Sequence, residues 1–248
     1  MLKCRGAECM KVIHVCLGNF FADQASYQEN LLIKYQVKMG LDVEVITSTY
    51  TISEQGTFIY LEQGCSYCND EGVKVHRLEY AIPGKIGHII KKYKNVYETL
   101  LSTNADIIFI HGCQFMDAIS IIKYAKRYNI RLYVDNHADL YNSAQNLISL
   151  IFLHKFLWKI SAQILEPYTK KFYGVVPARV DFLHEIYRVP KDKCHLLEMG
   201  ADDELVEEVK RNHLRELIRK KYEIGKDELL IVTGGKINHN RPEVINLL

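Results

Sequence analysis

"KVIHVCLG", residues 11–18, is the stretch of sequence that decides the fold. It is a short apolar run that ends at Gly18. Strands buried on both faces read as continuous apolar runs, because helices cover both sides of a parallel sheet. These residues therefore predict a buried parallel strand at the start of an α/β domain.

Segments of strand character and of helical character alternate along the rest of the chain. The predicted strands cover residues 42–48, 72–79, 106–111, 131–136, 162–167 and 193–199, and the predicted helices cover 26–40, 87–101, 117–128, 144–160 and 178–187. A long polar loop is predicted from about 51 to 71. Strands that alternate with long helices imply a parallel sheet covered on both faces. The fold predicted for this chain is therefore α/β, a Rossmann-like doubly wound sheet.

The composition indicates an ordinary soluble globular protein. Hydrophobic residues make up 48% of the chain and charged residues 25%, and the net charge is +2. This composition argues against disorder, and the charge gives no reason to expect nucleic-acid binding. The longest apolar window, 147–165, is interrupted by charged side chains and does not predict a membrane span. No secretory signal is visible, so we expect a cytoplasmic protein.

The seven cysteines indicate free thiols rather than a disulfide framework. Cys65 and Cys68 form a single CxxC in "EQGCSYCNDEG". Half a zinc site or a redox pair would use this spacing, but no second ligand pair stands nearby in the sequence. A solvent-exposed loop without metal is the favoured interpretation.

A change of character after Gly200 predicts the domain organisation. We expect an extension at 1–10, a Rossmann-like domain at 11–200 and an exposed, highly charged linker helix at 201–226, capped by Asp202 or Asp203. At 227–248 a strand, two glycines and a basic loop follow, which is the opening of a second α/β unit. The sequence therefore predicts one complete domain and a truncated second one.

Several strings, in this order, resemble the retaining glycosyltransferases of family 4, which have two facing Rossmann-like domains (the GT-B architecture). The strings are "KVIHVCLGNF" (11–20), "SYQENLLIKYQVKMGLDVEVITS" (26–48), "DIIFIHG" (106–112), "LYVDNHADLY" (132–141), "GVVPARVDFLHEIYRVPKDKCHLLEMGADD" (174–203) and "IVTGGKINHNR" (231–241). The resemblance covers residues 11–248. It implies an acceptor-side domain, a hinge and the start of a nucleotide-sugar (donor) domain.

The resemblance also implies a diphosphate site at the end of the chain. The loop "GGKINHNR" is similar to the family's basic loop that opens the donor domain, with Gly235, Lys236 and Arg241 as the matching residues. Two fixed cations there would stabilise the charge that develops on a leaving diphosphate. The order Lys-then-Arg is the reverse of the family's commoner order, and the two side chains are not equivalent in geometry.

Residues at strand ends are the other candidates. Ligands in a doubly wound sheet bind outside the carboxyl ends of the strands, and Gly18, Asn19, His111 and His137 all lie there. In the family that the chain resembles, the histidine matching His137 contacts the donor sugar's hydroxyls, which makes it the predicted catalytic residue. The others are predicted to contact the acceptor or to line the crevice.

The sequence thus predicts an incomplete retaining glycosyltransferase that moves a sugar from a nucleotide diphosphate sugar to a hydroxyl acceptor, a glycan or a glycolipid. No cofactor and no metal are expected. A nucleotide-sugar 2-epimerase or a non-catalytic half of a split enzyme remain as alternatives. Basic-aromatic helices at 84–97 and 147–160 also raise a peripheral contact with a membrane, although packing on a sheet requires similar apolar faces.

Overall fold

The computed structural model describes residues 9–23, 25–53, 55–140 and 149–232. The chain divides into two compact units, Met1–Gly200 and Ala201–Leu248. The first unit carries the sheet and most of the predicted crevice residues. The loop with Gly235, Lys236 and Arg241 lies outside the described residues, so its predicted role in diphosphate binding stays a prediction.

An eight-stranded sheet forms the centre of the first unit. The ten strands of the unit are β1 Lys11–Cys16, β2 Asp42–Ser48, β3 Tyr50–Ile52, β4 Phe58–Tyr60, β5 Cys65–Cys68, β6 Lys74–Leu78, β7 Ile107–His111, β8 Arg131–Asn136, β9 Thr169–Gly174 and β10 Cys194–Leu196. The sheet order is β10-β9-β8-β7-β1-β2-β6-β5, and β3 and β4 pair separately as an antiparallel hairpin. Only β5 runs antiparallel to its neighbour in the large sheet. The predicted doubly wound α/β fold is confirmed.

Helices connect these strands. They are α1 Gln28–Lys38, α2 Gly84–Ile90, α3 Val96–Leu101, α4 Ala118–Tyr128, a π-helix at Ser149–Trp158, α5 Lys159–Leu165 and α6 Pro177–Glu185. Among the described residues, no helix has both the length and the hydropathy needed to cross a bilayer.

The core explains why β1 is largely apolar on both faces. Ile13 and Val15 belong to the larger buried cluster, whereas Cys16 belongs to a second cluster with Ile33 and Val45. Successive side chains of a strand point to opposite faces of the sheet, so both faces of β1 are buried. His14, on the face opposite Ile13 and Val15, is fully buried although it is polar.

The prediction of a long loop over residues 51–71 is wrong. It contains the hairpin β3–β4 and the edge strand β5, and the Cys65–Cys68 pair lies on β5 instead of in a loop. Rings from the hairpin pack on one another and on α2, where the Tyr60 ring stacks on His88 at 3.9 Å between centroids. Cross-strand aromatic pairs of this kind stabilise short strands that the sequence does not mark by a long apolar run.

The prediction of a single helix over residues 87–101 is also wrong, because the segment is divided between α2 and α3. Lys91 ends α2 and Asn95 begins α3, both in the left-handed conformation, with φ of 52° and 57°. Between them Tyr93 is buried, and its hydroxyl donates to the carbonyl of Leu17 at 3.0 Å. This tertiary contact outweighs the local helix propensity of the segment.

The strand predicted over 162–167 is a helix instead. Ala162 and Leu165, three residues apart, are both fully buried, which is the spacing of one helical face. The strand of this region is β9, which follows the helix. Its two lysines, Lys170 and Lys171, interrupt the apolar pattern by which a buried strand is recognised in the sequence. The helix predicted over 144–160 is present from Ser149 as a π-helix that continues into α5, and residues 144–148 lie outside the described part.

The described part of the second unit, residues 201–232, contains two short helices, α7 Asp203–Arg211 and α8 Leu214–Lys221. The predicted cap is Asp202, whose carboxylate accepts from the backbone N–H of Glu204 at 3.2 Å. No described residue from 201 to 232 is buried, and the predicted strand at 229–232 does not form in the described residues. With no buried apolar contacts, these helices have little tertiary stabilisation.

We expect limited trypsin digestion of the chain to cut first between residues 203 and 227. Segments with few buried contacts open locally at low free-energy cost, and this segment contains many lysines and arginines. Mass spectrometry of the early fragments gives the cut sites. Early cuts within the sheet, with the helices of the second unit intact, would contradict the proposed domain boundary.

Candidate functional site

The carboxyl ends of β1, β7 and β8 meet at one edge of the sheet. The chain continues from β1 to β2 on one side, while β7 and β8 lie on the other, so the strand order reverses between β1 and β7. Loops diverge at such a switch point and leave a crevice where ligands bind in open α/β sheets. Gly18 and Asn19 follow β1, and His137 follows β8. The structure brings these three predicted residues together.

Two glycines form the closest backbone approach in the crevice. A Cβ atom on Gly18 would lie 2.3 Å from the carbonyl oxygen of Gly112. Gly112 itself has a φ of +78°, which disfavours any residue with a side chain. The backbone N–H of Asn19 donates to the carbonyl of His111 at 3.2 Å. Only glycine at position 18 therefore lets the turns after β1 and β7 touch.

A chain of buried polar groups runs beneath the crevice. His14 contacts Gln36 Oε1 through Nε2 at 2.7 Å and His111 Nε2 through Nδ1 at 2.8 Å. His111 Nδ1 in turn lies 2.7 Å from Asp135 Oδ2, and the backbone N–H of Gly112 donates to Asp135 Oδ1 at 3.2 Å. His14, His111 and Asp135 are fully buried. His111 therefore supports the crevice from below and does not line it.

The proton positions in this chain follow from the acceptors. The Asp135 carboxylate only accepts, so His111 Nδ1 carries a proton. Burial, together with the charge of His111, lowers the pKa of His14 to about 3, so its ring is neutral. With the Gln36 amide oxygen facing it, His14 donates from Nε2 and accepts at Nδ1. The remaining ring nitrogen of His111, Nε2, lies against the accepting Nδ1 of His14.

His137 is the member of this network that reaches the crevice. Its Nε2 lies 3.4 Å from Asp135 Oδ2 and 3.7 Å from Glu29 Oε1, and its side chain is 20% exposed. Burial lowers the pKa of His137, but the hydrogen bond and charge of Asp135 and the charge of Glu29 outweigh it and raise the pKa. Although burial opposes ionisation, the two histidines hold the pKa of Asp135 below its usual range. Asn19 donates to Glu29 Oε1 at 2.9 Å.

A cavity of about 400 Å³ opens above this network. Its polar lining comes from five described segments: the turn after β1, the end of α2, the loop after β7, the loop after β8 and the π-helix. The polar side chains that line it include Asn19, His88, Lys91, Gln114, His137 and His154. The remaining lining includes Ile89, Leu153 and Trp158, so apolar surface adjoins the polar groups. A concave space with a few convergent polar groups is typical of a small-molecule site.

Lys91 is the functional candidate that the sequence did not reveal. Its ammonium donates to the carbonyl of Gly18, and burial lowers the pKa of Lys91 to about 8. In the sequence it stands in the basic run "KKYK", which has the character of a solvated or membrane-facing helix surface. Only the break between α2 and α3 turns it into the cavity, and no local signal predicts that break.

The structure also bears on the metal question. Ligand atoms of Glu29, His111 and His137 lie within 4.8 Å of one another. His111, however, uses both ring nitrogens for His14 and Asp135, so it has no lone pair for a metal ion. This donor set therefore does not fit a metal ion. The exposed CxxC on β5 gains no further ligands within the described part of the chain.

Comparison with known proteins gives a family and a fold. The model of Glycosyltransferase Family 4 matches residues 30–205. A glycosyltransferase from Rickettsia africae is similar in structure, with a TM-score of 0.52 and 15% identity over 89% of this chain and 51% of that one. Sucrose-phosphate synthase from Thermosynechococcus elongatus has a TM-score of 0.51 and 11% identity over 88% of this chain and 54% of that one.

UDP-GlcNAc 2-epimerase from Neisseria meningitidis, bound to UDP-GlcNAc, has a TM-score of 0.43 and 11% identity, over 88% of this chain and 55% of that one. The chain thus spans about half the length of these solved structures. No curated protein sequence gives a significant match.

The raised pKa of His137 predicts a pH-dependent contribution to stability. Its value in the unfolded chain is about 6.5, so the stabilisation is fully present below that pH and is lost as pH rises through the higher folded value. The variant His137→Gln removes this contribution. We expect urea unfolding to show a larger loss of stability for this variant at pH 6 than at pH 9. An equal loss at both pH values would show that His137 is not charged by Asp135.

Proposed function

This chain belongs to glycosyltransferase family 4, and from that membership we propose that it is the acceptor-side domain of a retaining glycosyltransferase. The reaction would transfer a sugar from a nucleotide diphosphate sugar to a hydroxyl acceptor. The donor's diphosphate would bind in a second domain, for which Lys236 and Arg241 are the predicted cations. The acceptor would occupy the cavity at the end of β1, β7 and β8.

One observation carries this proposal: His137 lies at the switch point of the sheet and reaches the cavity, while its ring is held from behind. Asp135 and Glu29 both lie within 3.7 Å of its Nε2, and Asp135 is fixed in turn by His111 and Gly112. A ring positioned in this way does not need to reorganise during the reaction. Preorganisation of this kind is what distinguishes a catalytic group from a solvent-facing histidine.

The role that this geometry supports is orientation of a sugar hydroxyl. An imidazole donates and accepts hydrogen bonds, and the charge of Asp135 favours its protonated form, which donates. Positive charge on His137 would also attract the negative charge that develops on a departing diphosphate. The proposed contribution of His137 is therefore positioning of the donor sugar together with electrostatic stabilisation, without a metal ion.

The test is turnover by the protein expressed from the complete reading frame, with a panel of nucleotide sugars and detection of released nucleoside diphosphate. His137→Ala should raise the activation barrier by about 2–4 kcal/mol and so lower kcat roughly 30- to 1000-fold, while the variant stays folded at the assay temperature. The control is His195→Ala, which removes an imidazole from the edge strand β10, away from the cavity lining. Near-normal turnover together with a lowered melting temperature would assign His137 a structural role only.

A nucleotide-sugar 2-epimerase is the second candidate, because two buried carboxylates, Glu29 and Asp135, lie beside the His137 ring. Carboxylates in the crevice suit proton transfer at a sugar carbon. Neither of them lines the 400 Å³ cavity, however, and the family match favours the transferase. Reaction in deuterium oxide separates the two: an epimerase incorporates deuterium at the sugar carbon, and a transferase does not.

We also propose that the surface formed by α2 and the π-helix, next to the cavity where the acceptor would bind, contacts a membrane. Ile86 and Ile89 on α2 and Phe152 and Phe156 on the π-helix are 53–65% exposed, and both helices contribute to the lining of the cavity. Exposed apolar side chains next to lysines are typical of interfacial helices. We expect co-sedimentation with anionic lipid vesicles, reduced several-fold by Phe152→Ser with Phe156→Ser. Unchanged partition of this double variant would refute the contact.

A further inference from the structure

The lining of the cavity is one-sided in charge. Among the described residues that line it, the basic side chains are Lys91 and three histidines, His88, His137 and His154, and none of these lining residues is an aspartate or a glutamate. Burial lowers the pKa of His137, but Asp135 and Glu29, which lie beside its ring and outside the lining, raise it overall. A pocket lined in this way attracts a negatively charged ligand. A neutral ligand would desolvate the cation of the lining without supplying an opposite charge.

Lys91 differs from the lysines that follow it. Lys92 pairs with Asp117 at 3.3 Å, and Lys94 pairs with Glu79 at 2.8 Å. Within the described part of the chain, no carboxylate lies at ion-pair distance from the ammonium of Lys91, which contacts only the carbonyl of Gly18. An ammonium has three donors, so the bond to Gly18 leaves capacity for a ligand.

The backbone fixes Lys91 in this position. Its N–H donates to the carbonyl of Gly87 at 2.8 Å, and its own carbonyl accepts from the N–H of Met116 at 3.0 Å. The residue is therefore tied both to α2 and to the segment that precedes α4. Its side chain extends from this anchored point to the turn after β1, so the cation is part of the built cavity rather than a mobile surface charge.

We propose that the cavity takes an acceptor that carries an oxyanion, a phosphoryl or a carboxylate group, and that Lys91 is the residue that selects it. This inference rests on the proposed function, which places the acceptor in the cavity. A neutral acceptor of the same shape would leave the ammonium partly desolvated and without an anion. A site built around a charged group rejects the analogue that lacks its partner far more strongly than an apolar site rejects a difference in size.

The test uses the 248-residue chain and four soluble probes: glucose 6-phosphate, glucuronate, glucose and UDP. Binding is followed by NMR chemical-shift changes of the ¹⁵N-labelled chain. We expect the two anionic sugars to bind at least about tenfold more tightly than glucose, with shifts around Gly18 and His137. Which of the two binds better distinguishes phosphoryl from carboxylate.

Lys91→Met should remove the preference for the anionic sugars, and Lys91→Arg should retain part of it. The matched control is Lys85→Met, an exposed lysine on the same helix that does not line the cavity. Melting temperatures separate the two roles of Lys91: if the tie to Gly18 is its only role, Lys91→Met lowers stability and leaves the ratio of anionic to neutral sugar binding unchanged. That result would overturn the inference.

Two further outcomes would also overturn it. Binding of UDP that depends on Lys91, without binding of the sugar anions, would show that the cavity holds the donor's diphosphate. Equal affinity for glucose and the anionic sugars would show that charge does not select the ligand. In both cases the transferase proposal is still tested independently, since hydrolysis of the nucleotide sugar, with water as the acceptor of the glycosyl group, releases the nucleoside diphosphate whichever acceptor the cavity prefers.

Discussion

The contact between Gly18 and Gly112 is the constraint on which the crevice depends. Because any Cβ at position 18 would overlap the carbonyl of Gly112, the turns after β1 and β7 meet at backbone distance. That approach sets the hydrogen bond from Asn19 to His111 and brings the carbonyl of Gly18 to Lys91. A crevice at a switch point is a general property of the fold, but its depth here is set by two residues without side chains.

Beneath the contact between Gly18 and Gly112 lies a buried charge, the carboxylate of Asp135, whose removal from water costs free energy. Asp135 is fully buried, and a buried carboxylate is tolerated only when donors surround it. Here the backbone N–H of Gly112 and the imidazole of His111 supply them, and the imidazole of His137 lies 3.4 Å from the same carboxylate. The network joins three neighbouring strands through side chains as well as through the sheet's own hydrogen bonds. The same side chains therefore contribute both to the stability of the sheet and to the proposed site.

The fold could be predicted from the sequence because buried parallel strands are apolar runs, as in β1 and β7, and helices between them show helical spacing. His137 could be found for a related reason, since strand ends mark the crevice. Lys91 could not, because its direction depends on a left-handed residue fixed by distant contacts. His14 was hidden as well, since a histidine within an apolar run gives no local sign of its partners. Strands β3 and β4 depend on aromatic pairing between residues distant in the chain, which no local pattern records.

The shared oxygen of Asp135 has a consequence for how this protein takes up protons. His111 and His137 lie 2.7 Å and 3.4 Å from the same Oδ2 atom, one in the core and the other at the cavity. Against the effect of burial, this carboxylate raises the pKa of His137, so the group at the cavity is electrostatically tied to the core. By thermodynamic reciprocity, a ligand that favours the protonated form of His137 binds more tightly when His137 carries its proton. Binding at the cavity and proton uptake at the sheet edge are therefore one linked equilibrium.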